Sequence, residues 1–215
     1  MTWSHLRIRR KIMNPNFEIK NKTLIYDVLD KAEYGILALC VENQPYAVPV
    51  NFVRIDNDIY FHGALKNKKM KMLEQNPYVS FSVVENYALI DSDFSSTEGL
   101  ACPATQFFKS VSIDGVAVVE KNREIKAEVF EIFMQKHQPK GGYKSFKHSD
   151  YDKALKATAL VKIEVKNLTC KFKFGQHLNG KRFEMIVSYL LKRGTPIDME
   201  TVEIMKVQRG VKNGL

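Results

Sequence analysis

The segment from Tyr46 to Ile55 constrains the fold most, because its apolar residues fall on alternate positions. A period of two indicates a strand with one buried face. Similar alternation recurs in other segments, separated by turn residues, which predicts an antiparallel meander at the front of the chain. The residues that would share the face of this strand are Tyr46, Val48, Val50 and Phe52.

Alternation and turn signals together predict about six strands in mostly antiparallel order. A turn is expected at Asn43-Gln44-Pro45, and a break or bulge in the fifth strand near Asp114-Gly115. Residues 85–104 have no clean period and are interpreted as a long loop, a kind of segment that is often functional. The predicted strands span residues 34–41, 46–55, 59–62, 78–84, 107–119 and 157–165.

Helical spacing predicts helices between and after these strands. The first begins after Thr23 as a candidate N-cap and ends near Lys31, and a short one follows Asn67 and ends before Pro77. Two more are expected at 181–193, closed by Gly194, and after Pro196. The chain is therefore predicted to be α+β, built on a small β-barrel with a helical C-terminal tail. Between the fifth and sixth strands, a further amphipathic helix would bury Ile125, Val129, Ile132 and Phe133.

Composition and charge exclude several classes of protein. No apolar run is long enough to span a bilayer, and the start of the chain lacks a secretory apolar core, so a cytoplasmic location is expected. The three cysteines form no CxxC pair, and the histidines show no metal-ligand spacing, so no metal site is predicted. The net charge of +9 suits an anionic ligand or a nucleic acid, but no nucleic-acid motif supports the second partner.

The segment from Tyr60 to Met70 carries the clearest chemical signal. A strand ends at His62, and Gly63-Ala64 allows the backbone to approach a ligand closely. Lysines then surround the start of a helix, where free N–H groups and the helix dipole favour an anion. This arrangement fits a phosphate site, although a solvated basic helix has the same composition.

The chain resembles the pyridoxamine-phosphate-oxidase-like FMN proteins, and within them the nitroimidazole-resistance branch. Order and spacing agree over roughly residues 9 to 170. The segments that carry the resemblance are 9–11, 29–39, 45–53, 60–64, 109–111 and 115–117.

This resemblance implies a six-stranded antiparallel split barrel over residues 1–175, a helical extension over 176–215, and a homodimer with FMN at its interface. The flavin ring would be lined by Val48, Pro49, Val50 and Asn51. The ribityl chain would pass Phe61, His62, Gly63 and Ala64. The phosphate would meet Lys68 and Lys69, completed by Phe107, Lys109 and Ser110.

Two positions depart from the family pattern, both near the expected phosphate. Asn67-Lys68 stands where a glycine and a histidine are usual, and Phe108 stands where a tyrosine is usual. His62 is the titratable residue expected near the ring, either as a general acid or only as a hydrogen-bond partner of the cofactor.

The resemblance implies an FMN-dependent oxidoreductase, such as a reductase of nitro compounds or of a similar small acceptor. A non-catalytic flavin or small-ligand binding protein is the alternative. Pro49 is compatible with either function, because a proline inside a strand marks an edge or a bulge, and each function needs a strand that a flavin ring can approach.

Overall fold

The computed structural model describes residues 13–94 and 99–210, so the basic segment 9–11 lies outside the described residues. Six strands and six α-helices are present in this part of the chain. The strands are β1 Tyr34–Val41, β2 Gln44–Ile55, β3 Asp58–Ala64, β4 Tyr78–Ile90, β5 Thr105–Glu120 and β6 Thr158–Lys173. The helices are α1 Lys22–Lys31, α2 Lys68–Gln75, α3 Arg123–His137, α4 Asp152–Ala157, α5 Gly180–Arg193 and α6 Pro196–Gly210.

The described strands close into a barrel in the order β1-β2-β3-β6-β5-β4. This arrangement confirms the predicted α+β fold with a six-stranded antiparallel barrel. Alternate residues of the strands fill the interior, where Leu37, Phe52 and Ile59 are fully buried. Gly35 is required there, because a Cβ would lie 2.2 Å from Cζ of Phe81.

Strand β2 follows β1 over its first half and β3 only at its end. Gln44–Asn51 pairs residue for residue with β1, without a bulge, whereas the pairing with β3 joins Phe52–Ile55 to residues 58–61. Along its other edge, strand β3 pairs with β6 over Ile59–Ala64, whereas its pairing with β2 ends at Phe61. Within the described residues, Pro49 therefore lies in a half-strand with an unpaired second edge, which confirms the edge interpretation and not the bulge.

Several predicted boundaries were wrong, each for a local reason. The hairpin between β1 and β2 turns at Glu42 and Asn43, both with positive φ, so Gln44 and Pro45 already belong to the strand. Asn21, not Thr23, caps α1, because its side chain accepts hydrogen bonds from the amides of Thr23 and Leu24.

Strands β4 and β5 are longer and more regular than predicted. β4 runs on to Ile90, so the predicted loop 85–104 begins as a strand. β5 is continuous through Asp114 and Gly115, where the glycine is needed because a Cβ would lie 2.6 Å from the backbone oxygen of Glu164.

Helix α3 packs on the outside of the barrel over Val53 and Leu160. Its predicted face was partly wrong, since Ile125 is 40% exposed whereas Lys126 is buried. The lysine is buried because its ammonium group donates to the backbone oxygens of Leu155 and Thr158. Leu155 lies in helix α4, which the sequence did not predict, and Thr158 follows that helix.

The two C-terminal helices were predicted closely. α5 begins after the Asn179 cap and ends at Gly194, which has a left-handed φ of 68°. Ile186 and Leu190 are buried, whereas Leu191 is 45% exposed.

The chain forms two compact units. The barrel unit comprises residues 21–84 and 110–169, and the second unit comprises 1–20, 85–109 and 170–215. Both interleave in sequence, so the division expected at residue 175 stays a prediction. No helix in the described ranges is long and apolar enough to cross a membrane.

Candidate functional site

The turn between β3 and α2 is fixed by one side chain. Asn67 caps α2 by accepting a hydrogen bond from the amide of Met70 at 2.9 Å, and its Nδ2 donates to the backbone oxygen of Ala64 at 2.8 Å. Met70 and Leu73 are buried beneath the helix. The departure from the family pattern at residue 67 therefore supplies the bracing of this turn.

Lys68 and Lys69 begin the helix and lie over aromatic rings. The ammonium of Lys68 is 4.4 Å from the ring centroid of Tyr46, and that of Lys69 is 5.6 Å from the ring of Phe61. Gly63 leaves room for Lys69, since a Cβ there would lie 2.8 Å from Nζ. Burial lowers the pKa of Lys69 below its usual value.

Neither of these two lysines has a hydrogen bond or ion pair within the described part of the chain. Their positive charges stand beside the free N–H groups of the first turn of α2, where an anion is stabilised. Tyr46 also lies on the half of β2 that has separated from β3, so the lysines flank the opening between these strands. We name Tyr46, Phe61, Gly63, Lys68 and Lys69 the lysine corner.

An uncharged sheet face lies on the outer side of β1, β2 and β4. Its residues are cross-strand neighbours, as in Ile36 with Pro49 and with Ser82, and all are exposed or half-buried. Tyr34 is 59% exposed. We name this surface the neutral face; it comprises Tyr34, Ile36, Ala38, Cys40, Pro45, Ala47, Pro49, Asn51, Ser80 and Ser82.

The predicted ring-lining segment of β2 divides between the two sides of the sheet. Val50 is buried and Val48 is half-buried, whereas Pro49 and Asn51 belong to the neutral face. The side chain of Asn51 donates to the backbone oxygen of Glu33 at 3.0 Å. A planar ligand would therefore meet these four residues partly through their backbone, as the resemblance implies.

The predicted ribityl-chain residues also alternate between the interior and the outside of the barrel. Phe61 is fully buried inside the barrel, and Gly63 lies in the lysine corner beside the end of Lys69. Ala64 is exposed at the end of β3, where its carbonyl accepts from Asn67.

His62 lies on the outer side of β3, against α3. Its ring centroid is 4.9 Å from that of Phe133 and 5.3 Å from that of Phe130. Burial lowers the pKa of His62 below 6.5, and the nearby positive charges of Lys69 and His137 lower it further.

The three remaining predicted residues lie on β5 but belong to different units. Ser110 is half-buried in the barrel unit. In the second unit, Phe107 is buried and Lys109 lies with its ammonium 3.5 Å from a carboxylate oxygen of Glu85. The charge of Lys109 is thus compensated by a residue that the sequence placed in a loop.

Comparison with known families matches the chain to the pyridoxamine 5'-phosphate oxidase model over residues 21–172, more than half of its length. The chain belongs to this family. A comparison with curated proteins found no match.

Solved structures share the fold of this family member at low sequence identity. A candidate 5-nitroimidazole antibiotic resistance protein from Bacteroides thetaiotaomicron is 22% identical, with a TM-score of 0.60, over 72% of this chain and 85% of that one. A flavocytochrome from Azotobacter vinelandii is 19% identical, with a TM-score of 0.61, over 77% and 74%. An FAD and haem binding protein from Mycobacterium smegmatis is 18% identical, with a TM-score of 0.62, over 80% and 79%.

Proposed function

We propose that this chain binds FMN and acts as an FMN-dependent oxidoreductase on nitro compounds or a similar small acceptor. The observation that carries the proposal is the lysine corner. There, two lysines without a carboxylate or carbonyl partner among the described residues stand at a capped helix N-terminus beside an open strand edge. Family membership and the flavin named in two structural neighbours support the choice of cofactor.

The lysine corner fits the phosphate of such a cofactor. Gly63 lacks the Cβ that would displace Lys69, and the first-turn N–H groups of α2 would favour an anion there. Lys68 and Lys69 would hold the phosphate as point charges. The charge of Lys109 is compensated by Glu85 in its own unit, so its predicted contact with the phosphate stays a prediction.

The neutral face and the open half of β2 fit the flavin ring. Uncharged side chains and unpaired backbone groups can contact a flat, partly polar ring without burying a charge. A bound flavin supplies the redox chemistry, while Pro49 and Asn51 would orient it. The same exposed face supports a homodimer with the flavin at its interface. A cytoplasmic location is part of the proposal and rests on the sequence alone.

The catalytic role of His62 stays a prediction. Its contacts with Phe130 and Phe133 favour a part in positioning β3 under α3. This placement favours a second candidate function, in which the chain binds flavin without turnover because a proton donor is not aimed at the ring.

The visible absorption spectrum of the purified chain tests the first proposal. Flavin bands, with FMN released on denaturation at about one per chain, are expected. A colourless protein that also fails to take up added FMN would refute flavin binding. Oxidation of NAD(P)H coupled to reduction of a nitroaromatic acceptor would then separate the enzyme from the non-catalytic binding protein.

A further inference from the structure

A pocket in the second unit lies partly beyond the segment that the family model matches. Its volume is about 300 Å³. Half of its lining comes from beyond residue 172, where the family match ends. The lining residues that matter here are Thr105, Phe107, Lys173, His177, Leu178 and Arg182.

The polar part of this pocket is basic. Lys173 donates a hydrogen bond to the hydroxyl of Thr105, and Arg182 lies in the first turn of α5. The Nε atom of Arg182 is buried and has no hydrogen-bond partner among the described residues. The guanidinium group is therefore not tied down by an acceptor of its own unit, and the side chain that lines the pocket keeps its capacity to bind an anion.

Carboxylates of the second unit do not neutralise this charge. Glu85 pairs with Lys109, and Asp91 and Asp198 pair with Arg193. Within residues 13–94 and 99–210, no ion pair involves Lys173 or Arg182. The pocket therefore presents uncompensated positive charge to whatever enters it.

The remaining lining is apolar and aromatic. Phe107 and Ile186 are buried at its base, and His177 is exposed and packs edge-on against Phe17 at 5.2 Å. A cavity of about 300 Å³ is at the lower limit of small-molecule sites. It is much larger than an inorganic anion needs, so the apolar lining points to an organic ligand.

We propose that this pocket binds a small aromatic carboxylate, with the carboxylate held by Arg182 and Lys173 and the ring packed against Phe107 and Leu178. The planar guanidinium matches the two oxygens of a carboxylate, and the lysine adds a point charge. The proposal does not rest on flavin binding, because none of the residues of the lysine corner or the neutral face lines this pocket. Of the residues predicted to contact FMN, only Phe107 is among its lining.

Titration calorimetry with 2-naphthoate tests the pocket on the wild-type chain. Saturable binding is expected, and the neutral 2-naphthamide and inorganic phosphate are each expected to bind at least about tenfold more weakly. An equal affinity for the amide would overturn the role of charge. An affinity for phosphate, or for 1-naphthyl phosphate, that exceeds that for the carboxylate would overturn the assigned ligand class.

Substitutions in the first turn of α5 test whether the ligand binds at Arg182. Arg182→Gln is expected to weaken 2-naphthoate binding at least about tenfold, whereas Arg182→Lys, which keeps the charge but not the planar fork, is expected to weaken it less. Lys181→Gln removes the same charge from a neighbouring exposed residue and should change the affinity less than about twofold. If the two glutamine variants lose the same affinity for 2-naphthoate, only the net charge of the region attracts the ligand, and the proposal is refuted.

Thiol labelling tests the same site without altering it. Cys102 is exposed and lines the pocket, whereas burial raises the pKa of Cys170 to about 12 and makes that thiol unreactive. In a Cys40→Ser background, saturating 2-naphthoate should slow modification of Cys102 by a chromogenic disulfide reagent. An unchanged rate would contradict binding in this pocket.

Saturating FMN separates this proposal from the proposed function. Both ligands should bind at once, with the affinity for 2-naphthoate unchanged within about twofold. Displacement of 2-naphthoate by FMN would overturn a separate site while supporting flavin binding. Failure to bind FMN, with 2-naphthoate still bound, would refute only the flavin.

Discussion

Two pairs of lysines in the barrel unit differ in what they contact. On α3, Lys126 donates to two backbone carbonyls, and Lys136 donates to those of Ala32 and Phe52 at 2.6 and 3.2 Å. At the start of α2, Lys68 and Lys69 contact only aromatic rings within the described residues. Burial lowers the pKa values of Lys126, Lys136 and Lys69 alike.

The difference separates structural lysines from lysines that are available to a ligand. A carbonyl that accepts from an ammonium group satisfies its hydrogen-bonding capacity and ties two elements together. An aromatic ring stabilises the cation without occupying its N–H donors. A lowered pKa therefore does not mark the anion site, whereas the type of partner does.

Removing a structural lysine should have the largest effect. Lys126→Met leaves the carbonyls of Leu155 and Thr158 without their donor, so we expect the free energy of unfolding to fall by about 2–3 kcal/mol. Urea denaturation of the apoprotein measures this change. Lys153→Met, at an exposed position on α4, is the control and should change stability by less than about 0.5 kcal/mol. If both variants are equally stable, the carbonyl contacts of Lys126 are not structural.

Removing the ligand-facing pair should affect binding instead of folding. For the double variant Lys68→Gln, Lys69→Gln, the loss of charge-assisted contacts should raise the Kd for FMN by about ten- to a hundredfold. Fluorescence titration of the apoprotein gives this value. Lys66→Gln with Lys71→Gln removes the same charge from exposed flanking positions and should have a much smaller effect. A comparable loss of FMN affinity in the two double variants would show that FMN binding depends only on the net charge of the region.

Filling the space beside Lys69 should have a smaller effect. In Gly63→Ala, the new Cβ meets the flexible end of Lys69, which has to move, so FMN binding should weaken by about fivefold, roughly 1 kcal/mol. The contrasting variant is Gly115→Ala, whose Cβ meets rigid backbone and should lower stability and not affinity. Unchanged FMN binding in Gly63→Ala would remove Lys69 from the site.

The smallest expected effect is a pH dependence from His62. Because its pKa is lowered in the folded chain, the unfolded chain binds the proton more tightly, and stability falls as the pH drops below 6.5 and through the folded-state pKa. Urea midpoints at pH 7.5 and 5.5 should show this loss. It should shrink in His62→Gln, and partly in Lys69→Gln, which removes a neighbouring positive charge. A midpoint difference that is the same in all three chains would exclude His62 as its source.

The periodic elements were predictable because burial on one face leaves a regular trace in the sequence. The alternation of β2 and the Asn67 cap both identified the positions that now form the lysine corner. The end of β4 was missed because Glu85 interrupts its apolar pattern, and the reason for that glutamate is its ion pair with Lys109.

Contacts between distant segments explain the remaining errors. Apolar spacing assigned Ile125 to the core and left Lys126 outside, but the position of Lys126 depends on carbonyls about thirty residues away. The neutral face could not be seen in any one strand, because it exists only once β1, β2 and β4 are paired in register.

The separation of β2 from β3 has a consequence for solubility. An unpaired strand edge can recruit a strand from another molecule and so begin aggregation. Pro45 and Pro49 both lie in the open half of β2, and each removes an N–H group that such an intruding strand would need. The prolines on the unpaired edge of β2 thereby also hinder strand pairing between two copies of the protein.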